Sequence, residues 1–231
     1  MTVNVYILLD RSSSMASRWE EALITINSYV DELAKAGHEG AVTCAAFDQF
    51  AGPSNTAWMS ITSAVGCSFD VLRAAVRPQD WKPLSKEDAY PRGNTPLYDA
   101  IGRLNGLAAA DANPKGILVI MTDGEENASR EITKHGAKTM LDQQRARGWQ
   151  VVHLGVEFEA FVQASGVGTQ YASTMTLGKG GMKDGSTSKI LRRETQLYAS
   201  GAAASMSFNA QDRAEAGKVD DTLAKTKAAR P

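Results

Sequence analysis

The sequence predicts an α/β protein: a doubly wound, mostly parallel six-stranded sheet with helices on both faces, followed by a helical C-terminal extension. Three observations predict it. Short apolar runs rich in β-branched residues alternate along the whole chain with segments of helical period. The segments between runs are long enough for the crossover helices that parallel strands require. The clearest runs are almost continuously apolar rather than alternating, as expected of strands covered on both sides. With 231 residues, 43% of them hydrophobic and 22% charged, the chain has room for one such domain and a small appendage.

The elements follow in order. Residues 3–9 (Val-Asn-Val-Tyr-Ile-Leu-Leu) read as a central strand that Asp10 ends abruptly. Trp19, Leu23, Ile26, Val30 and Leu33 recur at spacings of four, three, four and three, which places them on one helical face, and Gly37 closes that helix. Residues 41–50 read as a second strand and residues 58–65 as a third, at an edge. The charged, proline-broken stretch 80–93 reads as irregular loop. Pro96 suits the first turn of a helix, where its missing N–H costs nothing, with Thr95 at or beside the cap. Leu97, Ile101, Leu104 and Leu107 or Ala108 follow at helical spacing. Residues 116–122 form another buried strand ended by Asp123-Gly124, and a helix over 129–147 leads to a strand over 149–155. A short helix over 157–165 and a last strand over 171–177 complete the sheet. Gly178, Gly180, Gly181 and Gly185 then mark a flexible joint, which divides the chain into a domain of residues 1–178 and an extension of 179–231. Within the extension residues 188–206 are helix-compatible, with Ile190, Leu191, Leu197 and Tyr198 as the apolar stripe.

Composition narrows the class of partner. Twenty-five basic and 26 acidic residues leave a formal charge of -1, so nothing global points to nucleic acid or to a membrane. The placement is uneven, with 15 basic and 20 acidic residues up to Gly178 and 10 and 6 after it, which is what a solvated basic helix face produces. The N-terminus carries no basic leader and no small-residue cleavage site. No apolar stretch approaches the roughly 18–20 residues needed to span a bilayer. Cys44 and Cys67 are too few for a disulfide scaffold. A cytoplasmic, thiol-reduced protein is the expectation.

Three polar clusters stand where chemistry is expected in such a fold: Asp10-Arg11-Ser12-Ser13-Ser14, Gly93-Asn94-Thr95-Pro96 and Thr122-Asp123-Gly124. Each follows a strand or opens a helix, and ligands of doubly wound sheets bind outside the carboxyl ends of the strands where strand order reverses. Should the strands before Asp10 and Asp123 be neighbours there, both carboxylates enter one crevice and the Thr95 loop forms its third wall. Two carboxylates and three hydroxyls are all oxygen donors, suited to a hard cation such as Mg²⁺ or Mn²⁺ rather than to structural zinc. In an extended loop Asp10, Ser12 and Ser14 point one way, and Arg11 and Ser13 point away. With hydroxyls as direct ligands the ion is incompletely neutralised and favours an anionic ligand from outside. Taken singly, each cluster also has a structural explanation: Ser12 and Ser14 as caps of the following helix, Thr95 as an N-cap, Asp123-Gly124 as a turn. Their joint occurrence at matching strand ends favours the site.

The pattern Asp-x-Ser-x-Ser, a distant Thr and a distant Asp followed by Gly resembles the metal-ion-dependent adhesion site (MIDAS) of von Willebrand factor A domains. Asp10, Ser12, Ser14, Thr95 and Asp123 match all five positions, and the flanking residues 94–100 and 122–127 look like prokaryotic and phage members. The resemblance covers about residues 1–178 and implies the Rossmann-like fold of that family. It implies that Ser12, Ser14 and Thr95 contact the metal, that Asp10 and Asp123 do so directly or through water, and that a partner's Glu or Asp completes the octahedron. The expected function is a divalent-cation-dependent protein–protein binding module. Its partners would be proteins, among them an AAA+ ATPase or a component of a larger assembly. A particle component with the metal as a stabilising clip is the alternative.

Catalysis is disfavoured on chemical grounds. A phosphotransferase of the haloacid dehalogenase type needs a second acid two residues after its nucleophilic Asp, and that position is Ser12. No Gly-x-Ser-x-Gly elbow and no Walker loop is present. Asp99, Glu125 and Glu126 suit a helix start and receive no metal role. His38, His135 and His153 show no shared spacing or carboxylate partner and read as ordinary histidines, and Cys44 reads as a buried strand thiol.

Overall fold

The computed structural model describes residues 2–49, 66–123, 125–155 and 164–218. Its strands are β1 (Asn4–Asp10), β2 (Val42–Asp48), β3 (Ser68–Val76), β4 (Gly116–Thr122), β5 (Gln150–Gly155) and β6 (Thr174–Thr176). Its helices are α1 (Trp19–Lys35), α2 (Leu97–Ala109), α3 (Lys134–Ala146), α4 (Lys179–Lys183), α5 (Ser186–Ser200) and α6 (Ala210–Ala216). The six strands form one sheet in the order β3-β2-β1-β4-β5-β6. Every pairing is parallel except that of β2 with β3.

The alternation of side chains along each strand divides the core in two. Val5, Ile7 and Leu9 of β1 face α1, α5 and α6, and so do Val119 and Met121 of β4. Leu8, with Leu118 and Ile120, faces α2 and α3. A strand buried on both faces has few positions for a polar residue away from its ends, which is why β1, β2 and β4 read as largely apolar runs. Four of the stripe residues of α1 (Trp19, Ile26, Val30 and Leu33) are at most 4% exposed, consistent with a helix that buries one face.

Three elements depart from the sequence reading. The third strand is Ser68–Val76, antiparallel and at the sheet edge. Residues 58–65 lie outside the described residues. β3 was not legible as a strand because several of its side chains face solvent, so it lacks the apolar continuity of the others. The helix expected from residue 129 starts five residues later, with Thr133 as cap accepting from Gly136 N–H. Backbone N–H groups of residues 128–132 are taken instead by the carboxylates of Glu126 and Asp99, which holds this stretch as a loop. Of the short helix expected over 157–165, residues 157–163 lie outside the described residues, and 164–166 are helical.

The glycine-marked stretch after β6 forms α4 and packs against the last helix. A Cβ at Gly181 would lie 2.3 Å from the Ala216 carbonyl oxygen and one at Gly178 2.2 Å from that of Lys218. Met182, Ile190, Leu191, Tyr198, Met206, Phe208 and Ala216 all join the core on the α1 face, and Tyr29 Oη and Thr195 Oγ1 share a hydrogen bond of 2.7 Å there. No described helix is long and apolar enough to cross a membrane.

Candidate metal centre

Chain order runs outward from β1 on one side of the sheet and from β4 on the other, so strand order reverses between these neighbours. Asp10 ends β1, and Asp123 directly follows the end of β4. The crevice expected of this topology therefore lies between the two residues that the sequence singles out.

Asp10 is fully buried, at 0% exposure. Its Oδ1 accepts the Ser12 N–H at 2.7 Å, and its Oδ2 accepts the Thr122 hydroxyl at 2.6 Å. Burial raises its carboxyl to about 6, against the lowering effect of the hydrogen bonds from Thr122 and Ser12. Among the described residues no basic side chain forms an ion pair with it. Ser12 Oγ lies 3.0 Å from Ser14 Oγ, and Ser14 Oγ donates to Asp123 Oδ1 at 2.8 Å. Asp10, Ser12, Ser14 and Asp123 thus form one continuous polar chain across the crevice. Neither serine is spent as a cap: the 3-10 turn over Ser13–Arg18 starts after Ser12 with no side-chain capping bond.

Thr95 lies on the neighbouring loop, and among the described residues no hydrogen bond joins its hydroxyl to the four residues above. It is 2% exposed, and its backbone is gripped on both sides by Asn127, whose Oδ1 accepts the Thr95 N–H at 3.0 Å and whose N–H donates to the Thr95 carbonyl at 3.2 Å. The Ser13 N–H donates to the Gly93 carbonyl at 3.1 Å, which joins this loop to the serine loop. The cap position of α2 falls on Pro96, which caps nothing with its side chain. Ser129 Oγ and the Glu126 carboxylate serve the first N–H groups of the helix, those of Tyr98 and Asp99.

Several positioning residues escaped the sequence reading. Asp99 is 1% exposed and accepts N–H groups from Arg130, Glu131 and Ile132 at 2.7–3.0 Å, so it braces the loop that carries Asn127. The run Glu125-Glu126-Asn127-Ala128-Ser129, too polar for the buried side of a helix, was the available signal. Arg11 is turned away from Ser12 and Ser14, as the alternation predicts, and pairs with buried Asp48 at the end of β2. Nothing in the sequence distinguishes Asp48 from a strand-end turn residue.

Among the described residues no group of three or more His, Cys, Asp or Glu side chains is placed to hold a metal, so a cation here depends on hydroxyl oxygens. His38 Nε2 meets the Val3 carbonyl at 2.8 Å, and His135 lies in α3. His153, at 0% exposure, has no hydrogen-bond partner for either ring nitrogen. Cys44 is buried and its thiol pushed up to about 12 by desolvation. None of these belongs to the crevice chain.

No protein-family model and no curated protein matches the sequence. Solved structures share the fold. The von Willebrand factor domain of the type V pili tip protein Mfa5 from Porphyromonas gingivalis has a TM-score of 0.62 at 11% identity, over 85% of this chain and 96% of that one. Proximal thread matrix protein 1 from the mussel byssus has a TM-score of 0.55 at 16% identity, over 83% of this chain and 47% of that one, so the present chain spans about half the mussel protein's length. Another structure of that protein has a zinc-occupied MIDAS motif. Manganese-loaded TRAP protein of Plasmodium vivax has a TM-score of 0.50 at 15% identity, over 73% of this chain and 63% of that one. At such identities the likeness establishes the fold: a von Willebrand factor A-like α/β domain with additional C-terminal helices.

Proposed function

We propose that this chain is a divalent-cation-dependent protein-binding module whose ligands are Asp10, Ser12, Ser14, Thr95 and Asp123. The convergence of Asp10, Ser12, Ser14 and Asp123 on one crevice at the strand ends carries this reading, and the oxygen spacing is compatible with a magnesium-sized ion. Magnesium holds its ligands at about 2.0–2.1 Å in an octahedron, whose neighbouring oxygens are then about 2.9 Å apart. The Ser12–Ser14 and Ser14–Asp123 pairs are separated by 3.0 and 2.8 Å. The electrostatics agree, because a buried carboxylate without a basic partner is costly until a cation arrives. Similar folds are described with zinc and with manganese.

All-oxygen donors favour Mg²⁺ or Mn²⁺ for this chain. Residues 1–178 carry the site in this proposal, and residues 179–218 buttress the sheet behind it. The bound ion supplies positive charge at the strand-end surface, incompletely neutralised where the serines and threonine are direct ligands, and a Glu or Asp carboxylate of a protein partner completes its coordination. The module acts in the cytoplasm as an adaptor rather than an enzyme, of prokaryotic or phage type, with an AAA+ ATPase or an assembly component as partner.

Isothermal titration of the full chain with Mn²⁺ tests the cation site: one site per chain is expected, lost in Asp10→Ala and in Thr95→Ala. Retention of binding in both variants would refute the ligand set. Affinity capture in Mg²⁺ and again after chelation tests the adaptor role. Partners that stay bound after chelation would show instead that the metal is a stabilising clip.

A further inference from the structure

Two loops supply the hydroxyls of the proposed site: residues 10–14, with Ser12 and Ser14, and residues 92–95, with Thr95. Their separation decides whether those oxygens meet one ion. Between them lies Asp48, at 0% exposure. Arg11, from the first loop, approaches it with Nη2 at 3.4 Å from Oδ1 and Nε at 3.3 Å from Oδ2. Arg92, from the second, donates Nε–H to Oδ2 at 2.5 Å. One carboxylate at the end of β2 therefore ties together two cations from two different loops.

The backbone repeats the connection. The Arg92 N–H donates to the Arg11 carbonyl at 2.7 Å and the Arg11 N–H to the Phe47 carbonyl at 3.0 Å. Gln49 and Asn94 exchange N–H···O bonds of 2.9 and 3.1 Å. Arg11 also reaches Ser68 Oγ at 3.1 Å and the carboxylate of Asp70 on β3. The carboxylates of Asp48 and Asp70 balance the two guanidinium groups, so the cluster is complete without a metal.

Resting on the cation reading above, we infer that Asp48, Arg11 and Arg92 are positioning residues, a clamp that fixes the serine loop against the threonine loop and so presets the metal site before any ion binds. Groups that orient metal ligands typically contribute about 10–100-fold to affinity, and this cluster does so through the backbone of the residues beside the ligands.

Amide hydrogen exchange of the metal-free full chain, together with Mn²⁺ titration, tests the clamp in Arg92→Gln and Arg92→Lys. Arg92 is chosen because its side chain is 24% exposed and its replacement leaves the Arg11–Asp48 pair in place. Arg92→Gln is expected to speed exchange at Ser12, Ser13 and Asn94 while α5 and β5 keep their protection, and to weaken Mn²⁺ binding about 10–100-fold. Arg92→Lys, which keeps the charge, recovers part of both. Exchange unchanged at those amides, or accelerated uniformly across the sheet as in plain destabilisation, overturns the inference. So does local acceleration with Mn²⁺ affinity held within about twofold, given the 10–100-fold expected of ligand-orienting groups. If the wild-type chain takes up no Mn²⁺, the cation reading fails by itself, and the clamp is then judged by the local exchange alone.

Discussion

β1 and β2 lie side by side, and each ends in an aspartate at 0% exposure, yet the two carboxylates have opposite surroundings. Asp48 meets two guanidinium groups. Asp10 meets a backbone N–H and a hydroxyl, and among the described residues no cation. A buried charge with its counter-charge in place is a structural part, whereas one with only dipoles around it is waiting for charge from outside. The difference teaches that the identity of a strand-end acid says little until its neighbours are counted.

The largest expected effect comes from removing the balanced acid. Asp48→Asn leaves two guanidinium groups without their shared partner and should cost about 3–5 kcal/mol in denaturant unfolding; a loss within the usual scatter of surface substitutions would equate the two strand ends and break the contrast.

The next effect must be separated out before Asp10 can be read. His153 is buried without a partner, and desolvation lowers it to about 4, below the roughly 6.5 of an unfolded histidine. A depressed histidine contributes stability that is complete above about pH 6.5 and lost as pH falls toward 4, up to about 3 kcal/mol in all. His153→Leu should flatten this limb of the stability profile, and an unaltered limb would assign it to other groups.

On that background Asp10 should behave in the contrary sense. Its folded carboxyl, raised to about 6, favours the folded state below the unfolded value near 3.9, and that contribution is lost as pH rises through 6. In chelator at pH 7.5, Asp10→Asn should therefore be more stable than wild type by about 1–2 kcal/mol. Added Mg²⁺ should raise the melting temperature of wild type and not of the variant. Destabilisation by Asp10→Asn in chelator would show that the metal-free carboxylate is already satisfied. Ser13→Ala, on an exposed residue outside the proposed ligand set, should change stability by less than about 0.5 kcal/mol and leave Mn²⁺ affinity as it was.

The contrast also marks how far the sequence could be read. Strands closed on both faces betray themselves by composition, so β1, β2 and β4 were legible to within a residue or two. The edge strand β3 carries a mixed surface and was not. Asp10, Ser12 and Ser14 stand out by their local spacing, whereas Asp123, 109 residues from Ser14, could be joined to them only by its strand-end position and the resemblance of the whole set to a known pattern; the structure links these four by hydrogen bonds, and Thr95 is held by its backbone to Asn127. Asp48, Arg92, Asp99 and Asn127 act through partners 31 to 44 residues away, and no motif in the sequence marks those pairings. The start of α3 was misplaced because residues 128–132 give their N–H groups to two carboxylates instead of winding into a helix: those of Glu126 beside them and of Asp99, 31 to 33 residues away.

The seam between residues 178–181 and 215–218 has a consequence of its own. Gly178 and Gly181 lie so near the carbonyl groups opposite that a single methyl at either would collide with backbone, and backbone cannot rotate aside as a side chain does. One added carbon atom at either glycine must therefore push the two stretches of backbone apart, beside the place where Met182, Phe208 and Ala216 are buried, so the closeness of this seam rests on two residues without side chains.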